Sequence, residues 1–186
     1  MEIQMFANLM RVAGAGLALA CLSLSTAAAH VVFAEPEAAP NSYYAGFLRV
    51  SHGCGDSPTR AIRVEIPDGV NVARPQPKPG WTLDIERAPL AASISGEGGH
   101  AITERVAAIT WRGELPADQF DQFGIVMRLP DQTGPLYFRV TQTCAEGEQR
   151  WEQIPAPGAA WHSAPHPAPV LTLVAPPAAS RGHDHH

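Results

Sequence analysis

Apolar and polar residues alternate along several short stretches of this chain. Ile62, Val64 and Ile66 are separated by Arg63 and Glu65, and a period of two is typical of a β-strand with one buried face. The same alternation recurs at 81–85, 123–129 and 136–140, and shorter strands are predicted at 31–33, 46–51, 107–111, 150–154 and 170–174. The pattern therefore predicts a chain built from many short strands.

Turn residues separate these stretches. The segments 67–69, 77–80 and 131–134 combine Pro, Gly and Asp, which favour chain reversals. After residue 29 no stretch has a sustained helical period, and 116–120 is long enough for one helical turn at most. Short strands joined by frequent turns predict an all-β fold, an antiparallel β-sandwich.

Three segments have a different composition. Residues 88–101 are rich in Gly, Ser and Ala, which predicts a mobile loop between strands, and the Pro/Ala-rich residues 155–169 are expected to run extended over the surface. The last residues, 176–186, end in Gly-His-Asp-His-His. We expect this histidine-rich tail to be disordered.

The first 29 residues have the pattern of a cleavable signal peptide. Arg11 precedes an apolar stretch at 12–26, and Ala27-Ala28-Ala29 fits the small-residue cleavage rule. The apolar stretch is too short and too rich in Ala and Gly to favour a permanent membrane span. Cleavage before His30 predicts an exported, periplasmic protein whose single domain covers residues 30–175.

Lipidation at Cys21 is the alternative processing route. The preceding Ala18-Leu19-Ala20 lacks the leucine expected three residues before a lipoprotein cysteine. Lipidation would leave the nitrogen of His30 in a peptide bond, so the two routes predict different chemistry at that residue.

Charge argues against two classes of partner. The chain has 13 Lys and Arg against 18 Asp and Glu, a net charge of −5. No stretch concentrates basic residues, which makes nucleic acid and anionic membrane surfaces poor candidates. Without its leader the chain is long enough for one domain with a core but short for two.

Cysteine usage predicts one disulfide. Of the three cysteines, Cys21 leaves with the leader, and Cys54 and Cys144 remain as an even pair in an exported chain. A bond between them would close a loop of about 90 residues, for which the chain-entropy estimate is about 4–5 kcal/mol. The alternative is that both thiolates bind soft Cu(I).

His30 carries the strongest chemical signal. As the first residue of the mature chain it would offer an α-amine and an imidazole in one chelate, and Cu(II) favours tetragonal nitrogen and oxygen donors. An ordinary amine has a pKa near 8 and an ordinary imidazole near 6.5, so a metal can deprotonate both at neutral pH. Glu35 and Glu37 lie close enough in sequence to supply an oxygen, and spacing alone does not choose between them.

Several motifs, in order, resemble a bacterial family. They are HVVF at 30–33, SYY at 42–44, VEIPDGV at 64–70, KPGW at 78–81, ITWRG at 109–113, FDQF at 120–123 and the stretch 142–151. Together they cover essentially the whole mature domain and resemble the YcnI-like exported proteins. The resemblance implies an immunoglobulin-like or cupredoxin-like β-sandwich that binds Cu(II), with an envelope copper chaperone or copper transporter as partner.

The resemblance also implies a site. In the family, one N-terminal histidine binds Cu(II) through its amine and its imidazole, a glutamate donates an oxygen, and a tryptophan lies against the metal. The resemblance assigns these roles to His30, Glu37 and Trp151. A neutral indole is a poor ligand, so we expect Trp151 to form a wall that restricts access to the ion. A sandwich-core role is the commoner use of tryptophan, and it is the interpretation we give to Trp81 and Trp111.

The remaining histidines receive weaker interpretations. His52 is expected at a strand end, His100 in the predicted loop, and His162 and His166 at exposed positions beside prolines. His183, His185 and His186 in the tail would bind Cu(II), Zn(II) or Ni(II) loosely.

Two other functions compete with copper binding. Lytic polysaccharide monooxygenases use a brace with two histidines, so oxidative catalysis would need a second histidine opposite His30, supplied by His52 or His100. A metal-free envelope interaction module is the other alternative, because the fold alone does not define function. The sequence has no Ser/His/Asp order, phosphate loop or zinc-spaced Cys/His cluster, so we expect no enzyme activity of those types.

Overall fold

A computed structural model describes residues 30–176. The predicted signal peptide, Cys21 and almost all of the predicted tail lie outside the described residues. The strands are β1 Val32–Phe33, β2 Glu37–Ala38, β3 Tyr43–Val50, β4 Thr59–Glu65, β5 Val72–Pro75, β6 Thr82–Ser95, β7 Ala101–Leu115, β8 Asp121–Arg128, β9 Gly134–Tyr137, β10 Val140–Cys144, β11 Glu148–Trp151 and β12 Val170–Leu173. Within 30–176 the helical structure consists of short 3₁₀ turns at Glu97–Gly99 and Trp161–Ser163, and no helix there is long and apolar enough to cross a bilayer.

The strands form three sheets. One has the order β1-β3-β8-β5, the second β11-β10-β4-β7-β6 and the third, smaller sheet β2-β12-β9. All pairs are antiparallel except β2 with β12. The predicted all-β sandwich is therefore confirmed, with one parallel pair that the alternation did not reveal.

The inward faces of the two larger sheets form the core. Along β3 the odd-numbered residues from Tyr43 to Arg49 are exposed while Leu48 and Val50 are buried, as expected where one face of a sheet packs on a core. The fully buried large side chains include Trp111, Phe123, Phe138, Ile109 and Met127. The alternating positions at 62–66, 123–129 and 136–140 correctly predicted residues that are buried or packed against the core, whereas Leu83 in the alternation at 81–85 is 37% exposed.

Two predicted elements differ from the structure. Residues 88–95, expected in a mobile loop, belong to β6, where Ala88 pairs with Arg105 and Ile94 with Ile102. The ladder forms despite weak strand formers, and its register shifts between Pro89 and Ile94, where the proline cannot donate a ladder hydrogen bond.

The run at 136–140, expected to be one strand, is divided into two. Its first part lies in β9 and pairs with β12, whereas β10 begins at Val140 and pairs with β4. Phe138 lies between the end of β9 and the start of β10, and its backbone N–H donates to the carbonyl of Pro169. Alternation persists across the boundary because both strands bury the same side, so the hydrophobic pattern alone does not reveal the change of sheet.

The predicted disulfide is confirmed. Cys54 and Cys144 are bonded, with their Cα atoms 6.1 Å apart, across a sequence separation of 90 residues. Cys144 ends β10, and Cys54 lies in the turn between β3 and β4. The bond therefore ties the β3–β4 connection to the sheet that carries Trp151.

Candidate metal centre

His30 lies between two tryptophan rings. It immediately precedes Val31 and β1 and is half-buried. Its imidazole centroid is 5.7 Å from that of Trp151, with an interplanar angle of 64°, and 5.2 Å from that of Trp161, with an angle of 59°. These are favourable aromatic contact distances. The structure thus brings together the two residues that the family resemblance paired, His30 and Trp151, and adds a third aromatic ring.

A buried hydrogen-bond network fixes the orientation of Trp151. This residue ends β11, is 5% exposed, and donates its indole N–H to Oε1 of Gln142 at 3.2 Å. The amide nitrogen of Gln142 donates in turn to the carbonyl oxygen of His52 and to Oγ1 of Thr59, both at 2.8 Å. Because buried polar groups are costly to leave unpaired, this network holds the indole in one orientation.

The disulfide lies beside that network. Cys54 follows His52 by two residues and Cys144 follows Gln142 by two residues, so the covalent bond and the Gln142–His52 hydrogen bond join the same two chain segments. The disulfide therefore holds together the two segments whose hydrogen bonds anchor Trp151.

Segment 155–169 contributes the second tryptophan. The indole of Trp161 donates to the carbonyl oxygen of Ala168 at 2.7 Å. The segment is attached to the end of β11 through Gln153, whose side-chain oxygen accepts from the backbone N–H of His166 at 3.0 Å and whose carbonyl accepts from that of Ala168 at 2.9 Å. The segment that was expected only to cover the surface therefore forms one side of the candidate site. Its single tryptophan was the sequence feature that could have indicated this role.

His166 also contacts Trp151. Its ring centroid is 5.4 Å from that of the indole, with an interplanar angle of 75°, and the residue is exposed. Sequence reasoning placed His166 at an exposed position but did not associate it with the site. Two imidazoles therefore pack against one buried indole.

The two glutamates lie towards the other end of β3. Val32 pairs with Arg49, near the end of that strand, whereas the carbonyl of Glu35 accepts a hydrogen bond from the hydroxyl of Tyr44, near its beginning. Burial, and secondly the negative charge of Glu35, raise the pKa of Tyr44 to about 12. Glu37 is exposed on β2, opposite Thr172. We call His30, Trp151, Trp161 and His166 the His30 cluster. The structure does not place either carboxylate in it.

Comparison with known proteins defines the family. The family model described as "Domain of unknown function (DUF1775)" matches residues 30–173. This chain belongs to the DUF1775, or YcnI-like, family. The match begins at His30, the residue at which we predict cleavage.

A solved structure supports the predicted immunoglobulin-like fold of this DUF1775 domain. A crystal structure of an uncharacterized protein from Nocardia farcinica, described as revealing an immunoglobulin-like fold, is 28% identical with a TM-score of 0.58. The similarity covers 77% of this chain and 97% of that one. A search of curated proteins gave no match.

Within 30–176, no three His, Cys, Asp or Glu side chains of the DUF1775 domain form a cluster able to hold a metal. A brace of one histidine uses a terminal amine as one donor, and an amine is not a side chain of these types. His30 could therefore provide two of the donors by itself once its nitrogen is free. The donor chemistry suits Cu(II), which accepts amine, imidazole and carboxylate ligands.

His52 and His100, two of the other described histidines, have different neighbours. His52 contributes its backbone carbonyl to the Gln142 network. His100 is exposed near the tip of the β6–β7 hairpin, where it lines an open cleft of about 830 Å³ together with Arg74 and Arg128. None of the cleft residues belongs to the His30 cluster. The cleft and the candidate metal ligands therefore lie in different parts of the molecule. We favour the His30 cluster as the candidate site because imidazoles there contact indoles whose positions are fixed by hydrogen bonds.

Proposed function

We propose that this DUF1775 protein is an exported, periplasmic Cu(II)-binding protein that acts in copper trafficking or homeostasis and is not an enzyme. His30, freed by signal-peptide cleavage, binds the ion through its amine and imidazole. Glu37 supplies an oxygen, and Trp151 shields the ion. An envelope copper chaperone or copper transporter is the proposed exchange partner.

One observation carries the proposal: the imidazole of His30 is packed between Trp151 and Trp161. A histidine with a purely structural or solvent-facing role would have no need of two indoles, one of them fixed by a buried network. The arrangement leaves the residue half-buried, so an ion bound there is partly shielded from water while remaining accessible to a partner.

Each residue has a defined task in this proposal. The amine and imidazole of His30 form a chelate, and the flanking indoles limit how many water molecules or competing ligands reach the ion. Copper supplies only its affinity for nitrogen and oxygen donors, since it is the cargo. Protons compete with the metal for both nitrogens, so binding weakens on acidification.

The carboxylate ligand needs a rearrangement of the N-terminal segment. Glu37 lies on β2 and His30 precedes β1, so ligation by Glu37 requires the freed terminus to fold back along the chain. The backbones of both glutamates are held, that of Glu35 by the Tyr44 hydroxyl and that of Glu37 by its pairing with Thr172. The family resemblance assigns the oxygen to Glu37, with Glu35 as the alternative donor.

The decisive experiment is a Cu(II) titration of exported protein whose intact mass shows cleavage before His30. The tail histidines are replaced by alanine in every sample to remove loose sites. His30→Ala should lower the affinity by more than the roughly 10- to 100-fold that loss of an outer-shell partner costs, and exposed His100→Ala serves as the matched control. Unchanged affinity in His30→Ala would refute the proposal.

Two further measurements separate the alternatives. Glu37→Gln should weaken binding more than Glu35→Gln does, and the reverse order would assign the oxygen to Glu35. Oxygen consumption by the copper-loaded protein with a reductant should not exceed that of free copper at the same concentration. Turnover linked to a substrate would instead support the histidine-brace oxidative enzyme.

A further inference from the structure

Two imidazoles, on chain segments far apart in sequence, contact the same buried indole. His30 and His166 have ring centroids 5.7 Å and 5.4 Å from that of Trp151. The distance between the two imidazole centroids therefore cannot exceed the sum of these values. Trp151 is 5% exposed and its indole N–H is bonded to Gln142, so the ring that both imidazoles contact is held in place.

The backbone of His166 is fixed although its side chain is exposed. Its N–H donates to the side-chain oxygen of Gln153, and its carbonyl accepts from the N–H groups of Glu152 and Gln153 at 3.2 Å and 3.1 Å. Gln153 also bridges to Pro167 in a parallel pair. These bonds attach His166 to the residues that directly follow Trp151, so the backbone that carries the imidazole is fixed beside that indole.

The donor count of the proposed site leaves room for this imidazole. The amine and imidazole of His30 and the oxygen of Glu37 occupy three positions of the proposed site, whereas tetragonal Cu(II) takes four donors in its plane. Imidazole nitrogens bind such ions at about 2.0–2.1 Å, the distance known for zinc. Both glutamate candidates lie towards the far end of β3, whereas His166 already lies on the same indole as His30.

We infer that His166 is a second imidazole ligand of the metal bound by His30, so that segment 155–169 supplies both a wall, Trp161, and a donor. This inference rests on the proposed function. The ligand is Cu(II) or an ion of similar nitrogen preference. With His166 bound, the ion has two imidazole ligands, which is the donor set that the oxidative alternative also requires. Substrate-linked turnover by the copper-loaded protein would therefore overturn the binding-only function and leave this inference intact.

The test is electron paramagnetic resonance of the mature full-length protein loaded with one equivalent of Cu(II), again with the tail histidines replaced by alanine. Nitrogen superhyperfine structure counts the bound nitrogens. His166→Ala should remove one imidazole nitrogen and weaken Cu(II) binding by about 10- to 100-fold, a loss comparable to that measured for site-supporting groups. His162→Ala, an exposed histidine in the same segment, should change neither quantity.

His166→Phe separates ligation from packing. Phenylalanine preserves an aromatic ring against Trp151 but offers no nitrogen, so it should give the spectrum of His166→Ala with the unfolding midpoint of the parent. An unchanged nitrogen count in both His166 variants would overturn the inference. If both His166 variants bind copper normally and His30→Ala does not, the proposed function stands without His166. If His30→Ala also binds copper normally, the proposed function itself fails.

Discussion

Two tryptophan clusters in this molecule use the same residue for different purposes. In the first, Trp111 is fully buried and its ring lies 5.5 Å from Phe123, which Trp81 contacts at 5.1 Å. In the second, Trp151 is nearly buried and is flanked by His30 and His166. The ring distances in the two clusters are alike, and only the second brings titratable ligand atoms to an indole.

The anchoring of the two indoles differs as well. Trp111 donates its indole N–H to the backbone carbonyl of Gln76 at 3.0 Å, whereas Trp151 donates to the side chain of Gln142. The backbone acceptor belongs to the fold and cannot be substituted, but the side-chain acceptor can. Trp151 belongs to the same hydrophobic core as Trp111, so burial alone does not distinguish the two indoles, whereas their neighbours and their hydrogen-bond acceptors do.

Removing the central ring of the core cluster should have the largest effect on stability. Trp111→Ala is expected to lower the free energy of unfolding by about 3–5 kcal/mol, because it leaves a large cavity. Trp161→Ala, at a half-buried position outside the core, should cost about 1 kcal/mol, a common value for point substitutions. Urea unfolding of copper-free protein, followed by far-ultraviolet circular dichroism, measures both. Equal losses would place Trp161 in the structural core and remove the distinction between the clusters.

Loss of the disulfide should come next. Replacing Cys54 and Cys144 together by serine is expected to lower the free energy of unfolding by about 2–5 kcal/mol. Because the bond joins the two segments that meet through Gln142 and His52, amide hydrogen exchange should accelerate more in β10 and β11 than around Trp111 in β7. Equal acceleration in β10 and β11 and around Trp111 would show that the disulfide stabilises the domain uniformly, with no special effect on the hydrogen-bond network that anchors Trp151.

Loss of the side-chain acceptor should have a smaller effect than loss of Trp111 or of the disulfide. Gln142→Met keeps a similar volume but leaves the indole N–H of Trp151 without its partner, which costs about 1–3 kcal/mol. In copper-free protein the indole proton of Trp151 should exchange with solvent faster by nuclear magnetic resonance, while that of Trp111 provides an internal control. An unchanged rate at Trp151 would mean that packing alone holds this ring.

Sequence patterns predicted the sandwich well because burial of one sheet face imposes a period of two. That rule also identified Trp111 as a core residue. It did not find the sheet change between β9 and β10, since both strands bury the same side, and it missed residues 88–95 of β6, whose pairing with β7 depends on a partner distant in sequence.

The candidate site was accessible to sequence reasoning only in part. His30 stands out through its place after the leader pattern, and the family resemblance paired it with Trp151. Trp161 and His166 lie in a Pro/Ala-rich segment without periodicity, and they reach the site through hydrogen bonds to Gln153 and Ala168 that no local pattern encodes. Their contribution required the three-dimensional contacts.

The disulfide bears on the cell compartment in which the protein, under the proposed function, becomes able to bind copper. Under the proposed maturation, an unexported chain has neither a liberated terminal nitrogen at His30 nor, in a reducing cytosol, a bond between Cys54 and Cys144. If the chain is exported as proposed, both changes follow export. A chain still in the cytosol would then lack the terminal nitrogen with which His30 is proposed to bind copper.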